Sequence, residues 1–156
     1  LCNLKLSDLY FEEGFIKVEG KGSKQRLVPI SPRAIKEIKY WLTDRNLGKI
    51  KKGYEDYVFL ARWGNNISRI MVFHMIKELA EKTGITKNIS PHTFRHSFAT
   101  HLLEGGANLR AIQCMLGHES IATTEIYTHI DRNMLRSEII EHHPRNIKYR
   151  KERGIY

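Results

Sequence analysis

Ser90-Pro91-His92-Thr93-Phe94-Arg95-His96-Ser97-Phe98-Ala99-Thr100-His101-Leu102 is the stretch from which the class of the fold is read. A serine followed by proline is a helix start: the hydroxyl can cap free N–H groups, and proline suits the first helical turn. Phe94, Phe98 and Leu102 recur every four residues, so they are expected to pack inward, and Gly105-Gly106 supplies the stop. His92 and Arg95 stand three apart and share a different face.

The same punctuation repeats outward from this helix. Downstream, Asn108 caps a short helix that turns Ile112 and Leu116 inward and ends at Gly117. Ser120 opens a further short helix carrying Tyr127, and Asp131 begins another that ends near Pro144, with Met134, Leu135 and Ile139 as its apolar face. Upstream, Ser68 starts a helix with Val72, Ile76, Leu79 and Ala80 on one face, closed by Gly84. Ser31-Pro32 starts another, with Ile35, Ile38 and Leu42 at helical spacing. Only the region from Leu9 to Ile30 reads as strand. Phe15-Ile16-Lys17-Val18-Glu19 alternates apolar and polar, Arg26 to Ile30 does so in part, and Gly20-Lys21-Gly22-Ser23-Lys24 is the turn between them. The expected fold is α+β and mostly helical, with a small antiparallel sheet near the N-terminus.

Composition narrows the function. The 156 residues are 41% hydrophobic and 28% charged, which suits one globular domain rather than a disordered chain. No apolar run approaches the ~20 residues needed to span a bilayer, so a membrane partner is not expected. Two cysteines without a CxxC pair suit a reducing compartment and offer no zinc framework. Net charge of +9 favours a polyanionic partner through phosphate attraction and counterion release. Lys21, Lys24 and Arg26 crowd one loop, and Arg145, Lys148, Arg150, Lys151 and Arg153 crowd the end. From Asn146 to Tyr156 the chain lacks an apolar face and is expected to be a basic, mobile tail.

Taken singly, the polar residues are unremarked. A His–Arg pair on a helix is usually solvated, a histidine after a glycine turn is usually loop, and a lone tyrosine is usually a half-buried packing residue. Their order changes the reading. The string His92 to Leu102, then Leu116-Gly117-His118, then Thr124-Glu125-Ile126-Tyr127-Thr128-His129, resembles the signature of the tyrosine recombinases, or phage integrase family. Lys21 within Gly20 to Arg26 is similar to that family's lysine hairpin. The ending His142-His143-Pro144-Arg145 is similar to the bacterial Xer branch. The resemblance covers residues 1–145, which are therefore expected to be a recombinase catalytic domain.

That resemblance implies strand cleavage and religation through a 3′-phosphotyrosine at Tyr127. A phenol with a pKa of about 10 needs a proton acceptor, a role that falls to His92, with phosphate contact as the alternative role for the same residue. Lys21 would protonate the leaving 5′-oxygen, with Lys24 a competitor in the same hairpin. Arg95 and His118 would hold the non-bridging oxygens. Fixed cations then do what metals do elsewhere, so neither metal nor cofactor is expected. Lys24, Arg26 and Arg69 would contact DNA, and Trp63-Gly64 would form a loop near it. A basic cleft would gather His92, Arg95, His118 and Tyr127. His96, His101 and His129 read as structural, and His142-His143 point in different directions with no third metal ligand. Implied partners are double-stranded DNA, a homo- or heterotetramer of recombinase subunits, a second recombinase and a DNA translocase, in the bacterial cytoplasm on the nucleoid.

Two family residues, a first catalytic arginine and a glutamate, would fall four and one positions before Leu1. Their absence, and a first residue that is not Met, give the expectation of a truncated piece with impaired activity. In the family a C-terminal segment docks on a neighbouring subunit; here Asp131 to His142 is the candidate, and packing on its own core is the alternative. Three rival functions remain. A non-enzymatic helix-turn-helix around Gly117 would suit the charge but leaves Lys21, His92, Arg95 and His118 unexplained. A type IB topoisomerase shares the chemistry without needing paired sites. An RNA-binding or ribosomal protein fits the charge and not the motif order.

Overall fold

The structure is a computed structural model; it describes residues 1–20, 23–117 and 132–154. Three strands come first: β1 (Leu9–Tyr10), β2 (Phe15–Glu19) and β3 (Gln25–Pro29). Helices follow: α1 (Pro32–Leu47), α2 (Arg69–Lys82), α3 (Pro91–Glu104), α4 (Leu109–Leu116), α5 (Arg132–His142) and α6 (Pro144–Glu152). The expected class, mostly α with a small N-terminal antiparallel sheet, is the one observed.

Two compact units divide the chain, Leu1–Ser7 with Tyr40–Ser97, and Asp8–Lys39 with Phe98–Tyr156. In the first unit Val58 is fully buried, and Leu4, Ile67 and Ala80 pack at low exposure. Trp41 Nε1 donates to the Val58 carbonyl at 2.8 Å. Arg45 is only 5% exposed, yet its cost is offset: Nε donates to the Tyr57 carbonyl at 2.9 Å and Nη1 to Asn46 Oδ1 at 2.9 Å. On α2 the buried side is Val72, Ile76 and Ala80, spaced by four. Leu79, expected on that side, is 60% exposed.

The second unit holds the sheet, in order β1-β2-β3, all antiparallel. Phe15 pairs with Pro29 and Val18 with Arg26. β3 ends at Pro29 and packs against α4 and α5. The core of this unit joins Leu102 of α3, Ala107, Ala111, Ile112 and Met115 around α4, and Leu135 and Ile139 of α5, with Phe98 packed alongside. Leu135 and Ile139 are 2% and 5% exposed, so the apolar face of α5 is occupied by this chain's own core. Phe94 departs from expectation: it is 59% exposed. It lies on the part of α3 that belongs to the first unit, and it is not among the residues of this core.

The segment expected to be a mobile tail forms α6 as far as Glu152. Pro144 occupies its first turn, and Asn146, 3% exposed, donates to the Ile139 carbonyl at 3.1 Å. One buried amide thus does what a weak apolar face could not. His142 and His143 do diverge. The His142 Nδ1 lies 2.6 Å from the Gly105 carbonyl oxygen, whereas the His143 ring packs on Phe98 at 5.6 Å and edge-on to His101 at 6.4 Å. Cys2 and Cys114 are free thiols, and burial pushes the Cys114 thiol up. No helix among the described residues is long and apolar enough to cross a membrane.

Two outcomes follow from this core. Leu102→Ala should cost about 2–5 kcal/mol, since the site is closed by three helices, read by urea denaturation with an unchanged slope. Burial, with His101 and Arg145 nearby, holds the His143 imidazole below its ordinary value of 6.5. The unfolded chain therefore takes that proton more readily. The stabilisation is complete above the ordinary value and is lost as pH falls through it toward the folded value. His143→Phe should therefore show a smaller drop in Tm between about pH 7.5 and 5.5 than the parent chain.

Candidate active site

α3 is the element that presents the polar pair. Its start is set by Pro91 and by a reciprocal contact in which the Ser90 N–H donates to Thr93 Oγ1 at 3.1 Å. His92 and Arg95 follow within the first turn and a half, both exposed and on one face. The pair is carried on a helix rather than a loop. An imidazole and a guanidinium so placed can bind the oxygens of a phosphodiester, one of them exchanging a proton.

Arg69 is the first residue of α2 and is exposed; the helix is fixed by the Met71 N–H donating to the Ser68 hydroxyl at 3.1 Å. Trp63 is 77% exposed, with the Arg62 guanidinium 5.7 Å from its ring centre. These residues, with His92 and Arg95, belong to the first unit.

Lys24 and Arg26 belong to the second unit. Lys24 is exposed just before β3, and its carbonyl accepts from the Gly20 N–H at 2.8 Å, closing the neck of the hairpin. Arg26 is half-buried on β3. Its guanidinium lies against Gly117, the left-handed residue (φ 67°) that ends α4. α4 is capped at its other end by Asn108, whose Oδ1 accepts from the Arg110 and Ala111 N–H groups at 2.9 and 3.3 Å. The Asn108 backbone N–H donates in turn to Glu138 Oε2 at 2.9 Å. So Gly117 is braced from β3 directly and from α5 through the other end of α4. Lys21, His118 and Tyr127 lie outside the described residues, and with them the expected cleft.

The motif reading missed Arg26 as a packing group and Glu138 as a brace. The only sequence trace of the first is a pair of glycines, Gly20 and Gly117, each directly before a residue singled out for chemistry. Glu138 left no trace, because its partner lies 30 positions away. Among the described residues no group of three or more His, Cys, Asp or Glu side chains could hold a metal ion.

Residues 1–134 match the model of the phage integrase family. A tyrosine recombinase XerD from Chlorobaculum tepidum is 48% identical over 145 residues, 93% of this chain and 48% of that protein. The crystal structure of a XerA recombinase superposes with a TM-score of 0.70 at 36% identity, over 92% of this chain and 52% of that one. A XerH site-specific recombinase, bound to its difH substrate in a pre-cleavage complex, gives a TM-score of 0.64 at 33% identity, over 83% of this chain and 37% of that one. The chain spans about half the length of the curated relatives it matches. With the family signature in register and the catalytic-domain fold observed, the chain belongs to the phage integrase family of tyrosine recombinases.

Proposed function

We propose that this chain carries out the chemistry of site-specific DNA recombination: cleavage of one strand by Tyr127, with a 3′-phosphotyrosine intermediate, and religation to a new 5′-hydroxyl. The observation that carries the reading is the exposed His92–Arg95 pair on one face of α3. It is supported by the XerH relative, whose structure holds its difH substrate before cleavage.

In this reading the Tyr127 oxygen attacks the scissile phosphorus and the bond to the 5′-oxygen breaks. His92 receives the phenolic proton, and Lys21 delivers one to the departing 5′-oxygen. Arg95 and His118 bind the non-bridging oxygens, where negative charge builds in the transition state. The phosphodiester energy is kept in the phosphotyrosine bond, so religation needs no nucleotide hydrolysis. Lys24 and Arg69 supply cationic charge toward the duplex. The wider expectations travel with the same proposal: a recombinase tetramer on DNA, a second recombinase and a translocase as partners, and work on the bacterial nucleoid. Chromosome-dimer resolution is favoured over phage or transposon integration by the similarity to XerD proteins.

A DNA duplex nicked beside the cleavage site tests the chemistry, because the short 5′-hydroxyl fragment diffuses away and the covalent complex accumulates. The parent chain should accumulate, slowly, a band of slower mobility on a denaturing gel, and Tyr127→Phe none. A Tyr127→Phe chain that still forms the adduct removes the mechanism. Arg95→Ala should slow adduct formation about 10²–10³-fold at saturating DNA. Arg69→Ala should instead weaken binding to all sequences alike and lower the slope of log Kd against log salt by about 1, leaving the rate at saturation intact.

A further inference from the structure

Arg26 stands across the hairpin from Val18. Its side chain leaves the strand to fill a space that two glycines keep open. A Cβ built on Gly20 would fall 2.7 Å from Arg26 Nη1. One built on Gly117 would fall 2.6 Å from Nη1, 2.7 Å from Cζ and 3.0 Å from Nε. The guanidinium is therefore laid directly on both backbones, and neither position tolerates a side chain while it is there. The Nε is buried and has no hydrogen-bond partner among the described residues. Elsewhere the chain satisfies its buried arginine in full: Arg45 bonds two carbonyls and an amide. A buried donor left unpaired calls for an explanation beyond packing.

The two glycines share one property in the sequence. Gly20 directly precedes Lys21, and Gly117 directly precedes His118. Among the described residues, the Gly20 N–H bonds Lys24 and the Gly117 N–H bonds Gln113 and Cys114. Arg26 is the side chain common to both.

We propose that Arg26 is a positioning residue, a flat spacer that sets the distance between the hairpin neck at Gly20 and the helix end at Gly117, and so the register of the residues that follow each. The inference rests on the recombinase reading above. It also differs from the expectation that Arg26 binds a DNA phosphate, since an Nε sealed from solvent is not offered to a ligand. Planarity is the property required. A lysine keeps the charge but has no plane to lie on two backbones. A displacement of about 1 Å at a reacting group can cost about 10²-fold in rate.

The test uses the full 156-residue chain, the nicked duplex described above under single-turnover conditions with protein in excess, and amide hydrogen exchange without DNA. Arg26→Lys, Arg26→Ala and Gly20→Ala are compared with the parent. Gly20→Ala is chosen because Gly20, unlike Gly117, does not have positive φ, so alanine there disturbs only the guanidinium. All three variants should form adduct about 10- to 100-fold more slowly, while DNA affinity and its salt slope stay at parental values. Exchange at the Gly20 and Gly117 amides should speed up, with α3 amides unchanged. The double variant Gly20→Ala/Arg26→Ala should be no slower than Arg26→Ala alone, because both remove one contact. Parental rates in Arg26→Lys would overturn the proposal, as would a salt slope lowered by about 1 in Arg26→Ala, which marks a phosphate contact. A parent chain that forms no adduct at all would defeat the recombinase reading instead. In that event unchanged exchange at Gly20 and Gly117 in Arg26→Ala still decides against the spacer, and accelerated exchange at both decides for it.

Discussion

Burial of Leu102 against α4 and α5 is the contact on which the second unit is organised. Its side chain is fully removed from solvent among Ala107, Ala111, Ile112, Met115, Leu135 and Ile139. Alanines at two of these positions let the helices approach closely, and the larger residues fill the space between. From this seal α3 runs back toward His92 and Arg95, and α4 runs forward to Gly117.

Elements set by local chemistry were readable before any coordinates. Ser31, Ser68 and Asn108 cap the helices expected of them, and Gly117 ends α4 in the left-handed conformation. Such signals work because donor, acceptor and backbone geometry lie within three residues of one another. The hairpin around Gly20 was readable for the same reason, since strand alternation and turn glycines are both short-range.

What escaped notice depends on partners distant in sequence. α6 has too poor an apolar face to announce itself, and its hold on α5 runs through the amide of Asn146. Phe94 shares the spacing of Phe98 and Leu102 but not their neighbours, and periodicity cannot say where a core stops. For the site, His92, Arg95 and Arg69 were legible as types on helices. Arg26 was legible as a charge and not as a filler between glycines, because that requires knowing that β3 meets the end of α4. Two arginines therefore carry opposite logic: buried Arg45 is satisfied by carbonyls and tightens its unit, whereas half-buried Arg26 leaves its Nε unbonded and holds two backbones apart.

The sheet has a consequence for how molecules of this kind can meet. An open strand edge is a template on which another chain can lay itself by main-chain pairing. Here β1 offers two residues, too few to template much. On the other side β3 packs against α4 and α5 and closes on Pro29, which has no N–H to give. The hairpin is thereby protected from edge-to-edge aggregation, and Lys24 at its neck is left to solvent and polyanion instead of to strand exchange.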